Sequence, residues 1–300
     1  MKIVNTMDSQ VKPPLVMLVY GEGGVGKTTF ASTSPNPILA DCEGGAKYFG
    51  LRGISMDVAS IQGWSDMGEF LNVVKDDKYD TIVIDPIGEL MEKLKRFMVH
   101  QGNKKLVQAD GSPSMAGWGW LKDTMRNYLK VLRDCGKNVL IIAHIAEKSD
   151  EDRMVKRPLI MTKLSEEIVN MVDVVGYFTS VLKDGETKRV IYIDPENDKY
   201  TAKDRTGQLG QYIEPDFTKI INACQGTKKY SWSKEAEKVV PKKEVAPAKK
   251  DQIIGENGKE EVKPASEDLL QKVEVMKEEI VEGKKEQLDE KLKKWKKEAK

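Results

Sequence analysis

Long apolar runs are missing from this 300-residue chain. The longest, such as Leu15 to Tyr20 and Val139 to Ala143, fall far short of the roughly 20 residues a membrane-spanning helix needs. The opening MKIVNTMDSQ lacks the apolar stretch of a secretory signal. Cysteine is scarce as well: Cys42, Cys135 and Cys224 are odd in number, far apart and in no metal-ligand spacing, which argues against a disulfide framework or a zinc site. Nor is there an excess of either charge. With 49 Lys and Arg against 48 Asp and Glu, the net charge of +1 gives no whole-chain attraction to a polyanion, so any nucleic-acid surface has to be local. These absences predict a cytoplasmic protein with reduced thiols and no membrane contact. What the chain does have is length, enough for a sizeable α/β core.

The balanced total hides a boundary. Residues 227–300 hold 20 Lys and 17 acidic residues, so half of these 74 positions are charged, about twice the density of residues 1–226. The segment PKKEVAPAKK (241–250) has almost nothing to bury and reads as an extended, solvated linker. Beyond it Leu269, Val273, Met276 and Ile280 recur at helical spacing, and Leu288, Leu292 and Trp295 resume the stripe after Gly283. The expectation is a core over 1–226 followed by a charged linker and an amphipathic helical or disordered tail over 227–300.

The core opens with a short β-rich run, LVMLVYG, that passes directly into Gly21, Glu22, Gly23, Gly24, Val25, Gly26, Lys27, Thr28 and Thr29. This is G-x-x-x-x-G-K-[ST] between a strand and a helix, the phosphate loop. Its glycines let backbone N–H groups turn inward around phosphates; Lys27 is expected on the β- and γ-phosphates and the Thr28 hydroxyl on Mg²⁺. The run Thr81-Ile82-Val83-Ile84-Asp85, stopped by Pro86, is a buried strand ending in a carboxylate. Asp85 at the carboxyl end of a parallel strand is expected beside the loop as the second Mg²⁺ group.

The string GGVGKTT also occurs in the ParA and MinD ATPases, whose signature carries a lysine where this chain has Glu22. The strand after the P-loop helix, ending LADCEGG, instead resembles RecA-type ATPases, whose second core strand ends in a glutamate that polarises the attacking water. Glu43 falls there. Asn138 to His144 reads as a later strand, and His144 occupies the end where RecA-like proteins carry a γ-phosphate-sensing amide. The segment KYTAKDR (199–205) resembles the paired basic fingers that such subunits insert into a neighbour's ATP site, with Lys203 and Arg205 two apart and so on one side of an extended chain.

Over roughly residues 13–224 the chain is similar to a phage group of minimal RecA-like nucleotide-binding proteins of the single-strand annealing and recombination type, on the segments GEGGVGKTTFA, LADCEGG and AHIAEK. The resemblance implies an α/β, RecA-like P-loop NTPase core with a mainly parallel central sheet flanked by helices. It also implies ATP and Mg²⁺ as cofactors, and a homo-oligomer with ATP sites at subunit interfaces. Few residues precede the first strand, so rings or short assemblies are expected rather than a filament built on an N-terminal polymerisation element. A phage-encoded protein in a bacterial cytoplasm would have single-stranded DNA as its partner, with a single-strand-binding or replication protein docking on the tail.

Two polar insertions stand where RecA-like cores bind DNA. The first, 101–120, carries Lys104 and Lys105 for phosphates and Trp118 and Trp120 for base stacking. The second, 148–163, is read as a loop carrying Lys148, Arg153, Lys156, Arg157 and Lys163. The function expected is ATP-dependent annealing or strand exchange. A nucleotide-regulated DNA-binding module without required hydrolysis, or a helicase, packaging or loader motor, are the alternatives.

Overall fold

In a computed structural model of the chain, residues 12–150, 153–183, 186–194, 199–226 and 230 are described. The apolar runs become strands β1 (Val16–Gly21), β2 (Pro37–Asp41), β3 (Asp57–Ser60), β4 (Thr81–Asp85) and β5 (Asn138–Asp150). They continue as β6 (Arg153–Pro158), β7 (Val174–Lys183), β8 (Glu186–Tyr192), β9 (Lys203–Asp204) and β10 (Tyr212–Ile213). The sheet order is β10-β8-β7-β1-β5-β4-β2-β3, with β6 paired to β5 and β9 to β7. From β7 through β3 every pairing is parallel; β8, β10, β6 and β9 join antiparallel.

Both faces of the sheet are covered, which is why β1 and β4 are buried at every position and read as continuous apolar runs rather than alternating ones. Alternation survives in the destinations of the side chains. Val16, Leu18 and Tyr20 enter a core beneath α2 (Asp66–Val73), α3 (Ile87–His100), α4 (Met115–Arg133) and α5 (Thr162–Met171). Leu15, Met17 and Val19 enter the opposite core, beneath α1 (Lys27–Ala31) and α6 (Phe217–Cys224). The strand β5 stands between β1 and β4. This is an α/β core with a mainly parallel, helix-flanked sheet and a strand–loop–helix phosphate loop at its centre.

Three expectations change. The segment 148–163 is no loop: β5 runs on to Asp150 and pairs with β6 from Ile145↔Pro158 to Asp150↔Arg153, a hairpin that extends past the parallel register, which ends at Gly21↔His144. The insertion 101–120 is shorter than read, because α4 begins at Met115. Ser114 caps it by accepting a hydrogen bond from the Gly117 N–H at 3.1 Å. The core also reaches past 226: Tyr230 bridges to Leu209, and the Gly210 N–H donates to the Tyr230 carbonyl. The rest of the charged linker and tail lies outside the described residues, and with it the amphipathic stripe and its expected partner. Among the described residues no helix is long and apolar enough to cross a membrane.

Candidate functional site

The loop between β1 and α1 is shaped by its glycines at two points. At Gly21 a Cβ would run into the carbonyl oxygen of Phe178 on β7, so the strand can deliver the loop only without a side chain. Gly26 has φ +107°, a left-handed conformation that L side chains rarely adopt. Its carbonyl accepts the first helical bond of α1, from the Phe30 N–H at 2.8 Å.

Lys27 is buried, and its ammonium donates to the carbonyls of Gly21 at 2.8 Å and Glu22 at 2.7 Å, folding back over the loop. Burial pulls its pKa down, against the carboxylates of Asp85, Glu43 and Glu22 pulling it up. The Thr28 hydroxyl donates to Asp85 at 2.6 Å. Asp85 is only 6% exposed, and burial above all pushes its pKa up to about 6, with Thr28 opposing and the Glu43 charge adding to the rise. A buried carboxylate held against a hydroxyl at the mouth of a phosphate loop calls for a cation. Thr28 and Asp85 fit Mg²⁺, which binds proteins through one or two oxygens and takes its remaining ligands from phosphates and water.

Strand β2 lies beside β4 with Asp41 level with Asp85, and the Cys42 N–H donates to the Asp85 carbonyl at 2.8 Å. The strand ends at Asp41, two residues before Glu43. Asp41, which the sequence reading passed over, makes the turn. One of its oxygens accepts the N–H groups of Glu43 (3.3 Å), Gly44 (2.7 Å) and Gly45 (3.1 Å), and the other that of Ala46 (3.0 Å). The turn presents Glu43 to His144, with Nε2 and Oε2 3.3 Å apart. His144 stands mid-strand in β5 rather than at a strand end, but at the last parallel register position, level with Gly21. Lys27, Thr28, Asp85, Glu43 and His144 therefore meet at the carboxyl edge of four adjacent strands, where open α/β sheets bind ligands.

The signal for Asp41 was present as Asp-x-x-Gly-Gly, a side chain able to accept from backbone two to five residues on. Asp41→Ala should leave several amides without their acceptor and cost roughly 2–4 kcal/mol of stability, read as a lower urea midpoint, and turnover should fall with it because Glu43 loses its support.

Other predicted residues are elsewhere. Lys203 donates to the carbonyls of Val169 (2.7 Å), Asn170 (3.2 Å) and Val172 (2.8 Å) at the end of α5. Arg205 donates to Asn170 at 2.7 Å and pairs with Asp173 at 3.2 Å. Lys203 lies in β9 and Arg205 directly follows it; β9 pairs with the first residues of β7 at the amino edge, away from the P-loop. Within their own chain their charges cap the C-terminus of α5.

Lys156 is likewise engaged, donating to the Tyr177 hydroxyl at 2.9 Å with its ammonium 5.2 Å from that ring. Trp120 packs partly buried against the core, while Trp118, 41% exposed, stands on the first turn of α4. Lys104 and Lys105 are exposed on the turn between α3 and α4, Lys163 is exposed at the start of α5, and Arg157 is partly buried. The side chains of Lys148 and Arg153 lie outside the described residues. Beyond the Asp41 turn, Phe49 belongs to the core and Tyr48 is 59% exposed.

A family profile described as an AAA domain matches residues 13–206, more than half of the chain. No curated protein sequence matches. Among solved structures, the chain is similar to a KaiC-like protein from the hyperthermophilic archaeon Pyrococcus horikoshii, at 14% identity, over 60% of this chain and 78% of that one, with a TM-score of 0.37.

Proposed function

The chain belongs to the AAA domain family, and on that premise we propose that it is an Mg²⁺-dependent ATPase coupled to single-stranded DNA, acting in annealing or strand exchange of the phage recombination type. The P-loop ATPase itself follows from the family and from the loop described above. In that site Lys27 holds the phosphates, and Thr28 and Asp85 hold the metal. Glu43 stands where it can take a proton from water. With side chains 37% and 45% exposed, His144 and Glu43 leave the γ-phosphate side open, which supports completion of the site by assembly.

One observation carries the coupling. The hairpin β5–β6 is tied at both strands to the nucleotide site. Its first strand holds His144, bonded to Glu43. Its second is held to β1 one residue before the P-loop, where the Tyr20 hydroxyl lies 3.0 Å from the Lys156 carbonyl. A change at the γ-phosphate therefore has a direct mechanical route into a projecting hairpin whose sequence carries Lys148, Arg153, Lys156 and Arg157 alongside an equal number of acidic residues. Phosphate attraction by Lys and Arg is blind to sequence, as annealing requires.

The test is ATP turnover by the purified chain with Mg²⁺, with and without single-stranded DNA, against duplex DNA and the Lys27→Ala variant. Single strands should raise turnover by at least about tenfold, and the variant should lose it, since charge completion in trans accelerates P-loop hydrolysis by more than that. ATP binding without stimulation shifts the reading to a nucleotide-switched binding module or a motor with a protein activator.

A further inference from the structure

The cations of this site are not all in the P-loop motif. Arg189 sits on β8, opposite Ser180 of β7, and β7 runs parallel to β1 with Phe178 level with Gly21. Arg189 therefore stands about two residues above the level at which β1 enters the loop, roughly 7 Å higher along the strand. Residues two apart share a sheet face, and Ile191 is buried in the same core as Val25, Phe30 and Ala31 of the loop and α1. Arg189 continues that row upward, out of the core and onto the loop.

The contact is close. A Cβ built on Gly26 would lie 3.2 Å from Cζ, 3.2 Å from Nη1 and 3.4 Å from Nε of Arg189. Three nearly equal distances put the space left by the missing Gly26 side chain over the plane of the guanidinium, so the donors at its edge are left to other partners. Among the described residues Arg189 makes no hydrogen bond or ion pair, and its side chain is exposed. An unpaired guanidinium laid on the one loop of this fold built to cradle phosphates has an evident ligand.

We infer that Arg189 binds the nucleotide polyphosphate in cis, flanking the P-loop on the side opposite Glu43. The sheet order supports the geometry. Asp85, Glu43 and His144 come from β4, from the turn after β2, and from β5 on one side of β1, whereas β8 lies beyond β7 on the other. The phosphates then meet Lys27 from within the loop and Arg189 from its outer flank. Arg189 thus supplies a second cation from within this chain.

The inference rests on the P-loop ATPase reading, and the experiment separates the two. Binding of MgATP, MgADP and AMP is measured by calorimetry for the wild-type chain, Arg189→Met, Arg189→Lys and Lys27→Ala, with the circular dichroism melt as a check on folding. Methionine keeps an unbranched stem over Gly26 and removes the donors. Arg189→Met should weaken MgATP and MgADP by about 10- to 100-fold with an unchanged melt, and AMP by less. Arg189→Lys should recover part of the loss, because a point charge remains without the fork. Affinities within twofold of wild type, or an equal loss for all three nucleotides as base stacking would give, overturn the inference and leave the ATPase standing. A wild-type chain that binds no MgATP, or a Lys27→Ala chain that binds it normally, overturns both.

Discussion

Glu43→Gln should leave MgATP binding within about twofold of wild type and reduce turnover by roughly 10²- to 10⁴-fold, the range expected when a positioned general base is removed. The substitution is nearly isosteric. The amide oxygen can still receive a hydrogen bond from His144, 3.3 Å away, and the turn is held by Asp41 rather than by the Glu43 side chain. Only the capacity to accept a proton is lost. Quenched-flow measurement of the first turnover, beside equilibrium binding, distinguishes this from a lesion in nucleotide capture. Normal single-turnover rates would remove Glu43 from the chemistry. Single-stranded DNA should not rescue the variant, because the missing group acts after the DNA signal has reached the site.

What could be read in the sequence follows from how local each signal is. The P-loop and the strand ending in Asp85 are contiguous strings whose chemistry needs those residue types in that order, and both fold as read. Glu43 and His144 were legible as strand-end residues, although the strand ends themselves were not. Asp41 stops β2 early by drawing the amides of residues 43–46 onto its carboxylate, and β5 continues because β6, three to 13 residues further on, pairs with it. Asp150, inside the segment read as a loop, is the last residue of β5.

The polar insertion 101–120 errs in the other direction: its last six residues belong to α4, where a side chain on Gly117 would collide with the Leu106 carbonyl. Lys203 and Arg205 carried the right spacing for fingers, but the same two charges suit the carbonyls at the end of α5, and spacing cannot distinguish the two uses. Arg189 was invisible for a simpler reason. It is 163 positions from Gly26, and the pairings of β8 with β7 and of β7 with β1 bring them together.

Asp85→Asn should make the nucleotide-free protein more stable at pH 7.5 while abolishing the response to Mg²⁺. With its carboxyl pushed up to about 6 from an ordinary 3.8, the folded chain holds a proton that the unfolded chain releases. Between those values the native state binds more protons, so its stability falls as pH rises from about 4 to 6 and is flat above. The full difference is on the order of 3 kcal/mol at about 1.4 kcal/mol per unit. Asparagine carries no charge to desolvate, and its oxygen can still accept from the Thr28 hydroxyl, which now donates to Asp85 at 2.6 Å. The variant should therefore gain about 1–3 kcal/mol at pH 7.5 and lose the slope between pH 4 and 6, both read from urea melts without nucleotide. Turnover should drop by at least about 100-fold, and the thermal shift given by MgATP over ATP alone should vanish, because the remaining oxygen cannot hold the cation. In the wild-type chain the same proton competes with the metal, so Mg²⁺ affinity should fall by up to about tenfold per unit below pH 6. A variant less stable than wild type at pH 7.5 would mean that Asp85 is held ionised by neighbours at no cost to the fold. A variant that kept its Mg²⁺ response would move the metal away from Asp85. The stability that the fold gives up at this one carboxylate is the cost of keeping a cation site ready beside the phosphates.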